Sequence, residues 1–288
     1  MQPQFQLPII PFQRDASEWS LPPWRWRDWL SVEHWLEQIA LEGAQVQAYD
    51  DRIELSLTPA YGPLSIQAAL GEEVLFLDNC PSTQRLAAEH VNQYGIVVAE
   101  QQSAGRGRLG RQWVSESKLN ILLSMIIRPQ APVSQWPRGP LRWSAAIANR
   151  LGLHVKWPND IVTAEGNKVG GILSTLEHDT KHNPFLIFGL GLNVNQVHFE
   201  ALPEASSLAV VYNQPFSRLA ILHDLVQTVK STGVDGPLEL WRQRCRMLGR
   251  PVRAAGYEGI AEDIREDGAL IVSGKVILSG DVEILEVK

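Results

Sequence analysis

The seven residues Gly105–Arg111 combine three glycines with three arginines, and they constrain the possible fold more than any other segment. Glycine lets the backbone turn sharply and approach a ligand closely. The arginine guanidinium offers a fixed fork of donors that suits phosphate and carboxylate groups. A short apolar run at residues 95–99 leads into this segment and is typical of a strand. The pattern therefore predicts a mobile loop that follows a strand and closes over an anion.

The three glycines of this loop also match the dinucleotide-binding pattern G-x-G-x-x-G, but the context of that motif is missing. It requires a helix to follow and an acidic residue about 20 positions further on. Here residues 111–115 are a poor helix start, and residues 125–130 contain no acid. A P-loop is absent from the sequence as well, because Gly274-Lys275 is followed by valine instead of serine or threonine. A dinucleotide oxidoreductase is thus disfavoured.

Composition limits the partners and the compartment. The chain has 288 residues and a formal net charge of −6, which argues against a general nucleic-acid binder. No run approaches the roughly 20 apolar residues of a membrane span, and the N-terminus does not resemble a secretory signal. The two cysteines, Cys80 and Cys245, lie far apart and form no metal-ligand spacing. We expect a cytoplasmic protein with reduced thiols, no membrane association and no metal site of its own.

Residues 1–75 differ in composition from the rest of the chain. Up to Glu73 they hold four arginines, no lysine and eleven carboxylates, so that a charge of −7 is concentrated at the front. They also carry five of the ten tryptophans, which we expect to pack against the body of the protein or to form an interface. Ser31–Leu41 is predicted to be a helix, and Arg52–Leu57 alternates as a strand does.

The middle of the chain shows patterns of both strands and helices, whereas its end shows patterns of short strands alone. Beyond the loop, the patterns predict strands at 120–127, 169–176 and 185–194 and helices at 141–151, 216–228 and 238–248. From Arg250 onward, short apolar segments alternate with glycine turns. That spacing indicates a small β-barrel.

Four further clusters carry candidate chemistry. Lys156–Asp160 supplies an ammonium, an amide and a carboxylate on a segment stiffened by proline. Lys168–Leu173 opens with a lysine followed by a glycine pair, which leaves bare backbone for a ligand beside the ammonium. Gly189–Val194 places glycines inside a strand, again consistent with close approach. Pro81–Gln84 is typical of a helix start, and its hydroxyls either cap the helix or face a ligand.

In this order and spacing, these segments resemble one family, the biotin protein ligases. The resemblance extends over roughly residues 76–285. It implies an α+β fold: a catalytic domain like that of class II aminoacyl-tRNA synthetases and biotin ligases, with a mixed sheet flanked by helices, plus a small C-terminal SH3-like β-barrel. The implied domains are an acidic N-terminal region at 1–75, a biotin- and ATP-binding domain at 76–236 and the C-terminal domain at 237–288.

The resemblance also implies a reaction and its residues. Biotin and MgATP give biotinyl-5′-adenylate, and a lysine of the biotin carboxyl carrier protein of acetyl-CoA carboxylase then takes the biotin. The implied catalytic residues are Lys168, Arg106, Arg108 and Asp160. The implied biotin site comprises Ser82, Thr83, Gln102, Gly105, Arg106, Gly107, Arg108, Lys168, Gly170 and Gly171. The implied ATP site comprises Arg106, Arg108, Arg111, Trp113, Lys156, Asn159, Lys168 and Asn193.

Within that resemblance, Ser82, Thr83 and Gln102 are expected to bind the ureido ring, Trp113 to pack on adenine, and Asn159 to read its amine. The sequence departs from the family pattern at two positions. Gln84 stands where asparagine is usual, so we assign it no biotin contact, and Leu109 replaces an arginine found in some members.

Three questions stay open at this point. Some family members carry an N-terminal winged helix-turn-helix that binds DNA, and residues 31–57 look similar to its last helix and wing. The sequence nevertheless argues against DNA binding here, because Glu33 and Glu37 fall on the helix that would contact DNA, in a strongly acidic region. A lipoate–protein ligase or octanoyltransferase on the same fold is the alternative enzyme, and a regulator without turnover is the alternative class. Composition does not fix the oligomeric state, and a homodimer is possible.

Overall fold

The computed structural model describes residues 19–20, 44–48, 53–57, 63–70, 74–199 and 202–285. The helix predicted at Ser31–Leu41 and most of the tryptophan-rich front lie outside these residues. Within the described part of the chain, no helix is long and apolar enough to cross a membrane.

A small antiparallel sheet belongs to the N-terminal region. It comprises β1 (Trp19–Ser20), β2 (Ala44–Ala48) and β3 (Ile53–Leu57), in the order β1-β3-β2. The strand predicted at 52–57 is therefore confirmed. Helix α1 (Pro63–Leu70) follows and contributes the buried Ile66 to the main core.

The central element is a mixed sheet of seven strands. They are β4 (Val74–Cys80), β5 (Ile96–Gln102), β6 (Ile121–Ile127), β7 (His154–Lys156), β8 (Asp160–Val162), β9 (Lys168–His178) and β10 (Pro184–Leu192). Their order is β4-β5-β6-β10-β9-β8-β7. Only the β4–β5 pair is parallel among these neighbours. The strands predicted at 120–127, 169–176 and 185–194 are confirmed, because each predicted end lies within two residues of the observed end. Strands β9 and β10 are hydrogen-bonded neighbours.

Helices cover the sheet. They are α2 (Thr83–Glu89), α3 (Gly139–Arg150), α4 (Leu208–Tyr212), α5 (Arg218–Ser231) and α6 (Glu239–Arg244). Two of the loops contain short 3-10 turns, at Arg108–Gly110 and Val133–Arg138. Helix α3 buries Trp143 and Ile147, whose spacing of four residues places them on one face of the helix. Trp143 packs edge-on against Phe188 of β10 with ring centroids 5.3 Å apart, which joins helix and sheet.

The helix predicted at 238–248 is wrong in its second half. Helix α6 ends at Arg244, because Cys245 takes an extended conformation and pairs with Val155 of β7. The next amide, Arg246 N–H, donates to the Val155 carbonyl at 3.0 Å. The chain therefore continues alongside the sheet where the apolar spacing alone predicted a longer helix.

The C-terminal residues form a second antiparallel sheet. Its strands are β11 (Pro251–Ala254), β12 (Tyr257–Ile264), β13 (Leu270–Val272), β14 (Lys275–Ile277) and β15 (Val282–Ile284), in the order β14-β13-β12-β11-β15. Among the described residues, the two edge strands are not paired with each other, so this sheet is open. It is anchored to the central domain by Trp157, whose indole N–H donates to the Gly268 carbonyl at 2.9 Å. Arg242 of α6 adds an ion pair to Asp263 at 2.7 Å.

Candidate active site

One cavity of about 350 Å³ gathers most of the residues singled out by sequence. It opens beside the central sheet and is lined by α2, the end of β5, the loop that follows, the β7–β8 turn, β9 and β10. Thirteen of the implied site residues line it: Ser82, Thr83, Gln102, Arg106, Gly107, Arg108, Arg111, Trp113, Lys156, Asn159, Asp160, Lys168 and Gly171.

A buried hydrogen-bond network fixes one end of the cavity. Thr83 donates to the Gln102 Oε1 atom twice, from its amide at 2.7 Å and from its hydroxyl at 3.2 Å. Ser124 of β6 donates in turn to the Thr83 hydroxyl at 2.9 Å. Because a backbone N–H is always a donor, the atom of Gln102 facing it must be the oxygen. The Gln102 amide nitrogen is therefore left to donate to a ligand.

Ser82 lies at the N-cap position of α2, but its side chain makes no capping hydrogen bond. The residue is buried and lines the cavity. Of the two roles left open for this hydroxyl, the geometry favours the ligand-facing one.

The glycine–arginine loop is a small hairpin over the cavity. Arg106 bridges to Gln112, and the amide of Gly107 donates to the Arg111 carbonyl at 2.7 Å. At its tip, Leu109 and Gly110 have positive φ angles of 55° and 77°. Glycine tolerates this left-handed conformation, whereas leucine adopts it at a cost. Residues Arg108–Gly110 at this tip form the short 3-10 turn, and all three arginines of the loop line the cavity.

The β7–β8 turn holds the second cluster next to the lysine of β9. Asp160 lies opposite Lys156 on one side and Gly171 on the other in the strand register. The Lys168 Nζ atom is 2.6 Å from the Asp160 Oδ1 atom. The main chain of Lys168 is fixed on both sides, since its amide donates to the Glu204 carbonyl at 2.6 Å and its carbonyl accepts from the Ser206 amide at 2.8 Å.

Asn159 is oriented in the same way as Gln102. Its Nδ2 donates to the Ile172 carbonyl at 2.5 Å, which leaves the Oδ1 atom facing Arg108 Nη1 at 3.4 Å. The exposed oxygen is an acceptor for an N–H group.

The floor of the cavity is bare backbone. Gly171 of β9 and Gly191 of β10 face each other across the strand pair. The Trp113 indole lies on both, and a Cβ atom added at Gly191 would overlap that ring. The indole Nε1 is buried without a hydrogen-bond partner. The Lys168 ammonium lies 5.8 Å from the ring centroid, so an aromatic face, an ammonium and open backbone meet at one point.

The cavity is positive although the protein is acidic. Five cationic side chains and three carboxylates line it. Burial lowers the pKa of the Arg108 guanidinium, and Asp281 and Asp160 partly oppose this effect. The side-chain hydrogen bond from Arg111 to Asp281 raises the Arg111 pKa. A low-dielectric cleft with this surplus of positive charge attracts polyanions.

Three implied site residues do not line the cavity. Gly105 packs against Trp113, where a Cβ atom would meet the Trp113 carbonyl. Gly170 faces Leu192 in the strand register. Asn193 is buried and its Nδ2 donates to the Ser206 carbonyl at 3.0 Å. These three residues shape the backbone around the cavity.

Sequence reasoning missed several lining residues. Gln84 was assigned no contact, yet it lines the cavity, donates to the Leu173 carbonyl at 2.6 Å and packs on Gly189. Glu204 and Asp281 gave no local signal, because each reaches the cavity from a part of the chain remote from the motifs. Among the described residues, no group of three or more potential metal ligands occurs.

Comparison with known proteins identifies the class. Residues 77–193 match the model of the Biotin/lipoate A/B protein ligase family. The chain is 33% identical over 214 residues to the Mycobacterium tuberculosis biotin–[acetyl-CoA-carboxylase] ligase, covering 65% of this chain and 77% of that protein. It is 29% identical over 244 residues to the bifunctional ligase/repressor BirA of Bacillus spizizenii, covering 75% of both.

The fold agrees with these relatives. The Aquifex aeolicus biotin protein ligase, solved in complex with biotin and ATP, superimposes with a TM-score of 0.58 and 26% identity over 74% of this chain and 99% of that one. The fold and the cavity thus define a ligase of small acyl groups onto proteins. The chain belongs to the Biotin/lipoate A/B protein ligase family.

Proposed function

We propose that this protein is an ATP-dependent biotin–protein ligase that forms biotinyl-5′-adenylate and transfers biotin to a lysine of a biotin carboxyl carrier protein. The observation that carries the proposal is the Lys168–Asp160 pair, 2.6 Å apart on the floor of an arginine-rich cavity. A polar network at the other end suits a small heterocycle. Two relatives are named biotin–[acetyl-CoA-carboxylase] ligases, which supports a biotin carboxyl carrier protein as the partner.

The ureido ring of biotin occupies the end formed by Ser82, Thr83 and Gln102. Because the Gln102 oxygen is engaged by Thr83, its amide nitrogen donates to the ureido carbonyl. Gln84, held on the Leu173 carbonyl, forms the adjoining wall.

In the first step, a biotin carboxylate oxygen attacks the α-phosphorus of ATP, and the bond to pyrophosphate breaks. Two polyanions must approach each other, so fixed cations stabilise the transition state. Lys168 binds the carboxylate and phosphate oxygens, and Arg106 and Arg108 close over them. Arg111 and Lys156 lie at the phosphate end.

Adenine is bound between Trp113 and the glycine floor. The bare backbone at Gly171 and Gly191 leaves room for a flat ligand once the indole moves away from it. The Asn159 Oδ1 atom exchanges its 3.4 Å contact with Arg108 Nη1 for a hydrogen bond from the exocyclic amine of adenine. Mg²⁺ enters with ATP, and the described residues offer no carboxylate cluster of their own to hold it.

In the second step, the acceptor lysine Nζ attacks the carbonyl carbon of the mixed anhydride. The C–O bond to the phosphate breaks, AMP leaves with the electron pair, and the surplus amine proton passes to a base. Asp160 is positioned to orient Lys168 and to receive that proton.

The organisation carried over from the family is part of the proposal. It comprises the divisions at 1–75, 76–236 and 237–288 and the closure of the C-terminal sheet as an SH3-like barrel. The cytoplasmic location, the absence of DNA binding and the possibility of a homodimer remain predictions.

The decisive experiment is incubation with biotin, MgATP and a purified carrier domain, followed by intact-mass measurement of the carrier. The expected result is a mass increase corresponding to one biotinyl group. A parallel reaction with lipoate tests the other activity of the family. Modification by lipoate and not by biotin would refute the proposal.

A further inference from the structure

A second cavity of about 430 Å³ lies between the central domain and the C-terminal sheet. It shares a wall with the first cavity, formed by Arg108, the segment Trp157–Asn159 and the pair Ile172–Leu173. The rest of its lining includes Pro140, Leu141 and Ala269, and Leu278 stands at its edge with 76% of its surface exposed. Apart from Arg108 and Asn159 of the shared wall, none of the residues assigned to biotin or ATP lines this cavity.

We infer that the second cavity admits the acceptor lysine of the carrier protein to the adenylate. The inference rests on the proposed function and identifies the route of the carrier lysine. The first cavity is occupied by biotin and nucleotide at that stage, and the glycine–arginine hairpin lies over it. The second cavity is bounded by the same wall and, unlike the first, by residues 267–269 and Leu278.

The chemistry of the lining fits a lysine side chain. Apolar groups of Pro140, Leu141 and Ala269 line part of the second cavity beside polar ones and suit the four methylene groups, since the long stem of lysine packs on apolar surfaces while its charged end stays solvated. The surrounding lobe is acidic: residues 250–285 hold seven carboxylates and four cationic side chains. Asp267 lines the second cavity itself, although its carboxylate is also paired with Arg265 at 2.8 Å. A lobe of negative charge favours the arrival of an ammonium group.

The contacts in the shared wall indicate that the adenylate forms before the acceptor lysine enters. The contact between Arg108 Nη1 and Asn159 Oδ1, at 3.4 Å, stands between the two cavities. Arg108 is drawn to the adenylate phosphate and Asn159 to adenine, so the wall opens once the adenylate is in place. The amine then meets the anhydride carbonyl, forms the amide bond and displaces AMP.

A charge-reversal pair tests this route. Leu278→Lys and Leu278→Glu remove the same apolar side chain and differ in the sign of the charge at the edge of the second cavity. We expect the KM for the carrier domain to be about tenfold higher for the lysine variant than for the glutamate variant at low ionic strength. Val276→Lys and Val276→Glu are the matched controls, because Val276 is exposed on β14 of the same sheet and lines neither cavity. Their KM values should be nearly equal.

Two further readouts separate the causes of failure. Biotin-dependent pyrophosphate–ATP exchange by the unmodified protein tests the proposed function, and its absence would defeat that function directly. Hydroxylamine, a small amine, should capture biotin from the adenylate equally well in both Leu278 variants. If exchange is normal and the KM ratio at position 278 does not exceed that at position 276, the acceptor route is wrong while the proposed function stands.

Discussion

Gly171 and Gly191 lie opposite each other on β9 and β10, and the indole of Trp113 rests on both. Two side-chain-free positions in register leave a flat recess in a sheet that is otherwise well covered. The recess is the place where the proposed site needs the closest approach of a ligand to the main chain.

Substitution of Gly191 by alanine should displace Trp113. A Cβ atom at this position overlaps the indole, and overpacking of this kind costs about 1–3 kcal/mol. We expect a lower free energy of unfolding in urea and weaker ATP binding. The cost should fall sharply in a Trp113→Leu background, because the shorter side chain leaves room for the methyl group. Equal costs in the two backgrounds would contradict the contact.

Substitution of Lys168 by alanine should abolish biotin-dependent pyrophosphate–ATP exchange, lowering its rate roughly a thousandfold. The ammonium is the cation nearest the Asp160 carboxylate and the glycine floor. Lys168→Arg should recover little activity, because the guanidinium is a fork and not a point charge.

The matched control is Lys181→Ala, in an exposed turn remote from the cavity. It should exchange at the normal rate. Near-normal exchange by the Lys168 variant would remove that residue from its proposed role.

The buried ion pair between Glu100 and Arg218 should be a major contributor to stability. The two side chains are joined by hydrogen bonds of 2.6 and 3.1 Å and tie β5 to α5. Arg218→Ala leaves a buried carboxylate without this partner, so we expect a loss of about 3–5 kcal/mol in urea unfolding.

Arg253→Ala provides the contrast, since Arg253 pairs with Glu258 and Glu283 on the surface. It should cost far less than the Arg218 variant, because water screens an exposed ion pair. Similar losses for the two variants would show that burial is not what distinguishes the pairs.

Ligand binding should protect the hairpin over the cavity from trypsin. The hairpin carries three arginines, and its ion pair from Arg111 to Asp281 is largely exposed. Biotin with ATP should slow cleavage within Gly105–Arg111 by at least about tenfold, because the adenylate orders the loop. Asp281→Asn should speed cleavage of the free protein, whereas Glu283→Asn, two residues further on in β15, should not. Equal cleavage with and without ligands would exclude a closing loop.

Local sequence patterns predicted the features that depend on local geometry. The spacing of apolar residues located β9 and β10, and the glycine pair after Lys168 identified the floor beside its ammonium. Asp281 and Glu204 escaped prediction because nothing near them in the chain marks them as ligand-facing. Helix α6 was predicted too long because the pairing of Cys245 with Val155 is a tertiary contact between distant segments. Asn193 fits the family pattern by position, yet its amide is engaged by Ser206.

Asp281 and Val282 complete a cavity whose other walls come from residues 82–204. During synthesis the ribosome therefore makes the lysine, the arginine loop and the glycine floor well before the final wall. A nascent chain that has folded its central sheet still lacks the counter-charge for Arg111. On the proposed function, competence to hold a reactive anhydride is thus acquired only once Asp281 and Val282 have been made.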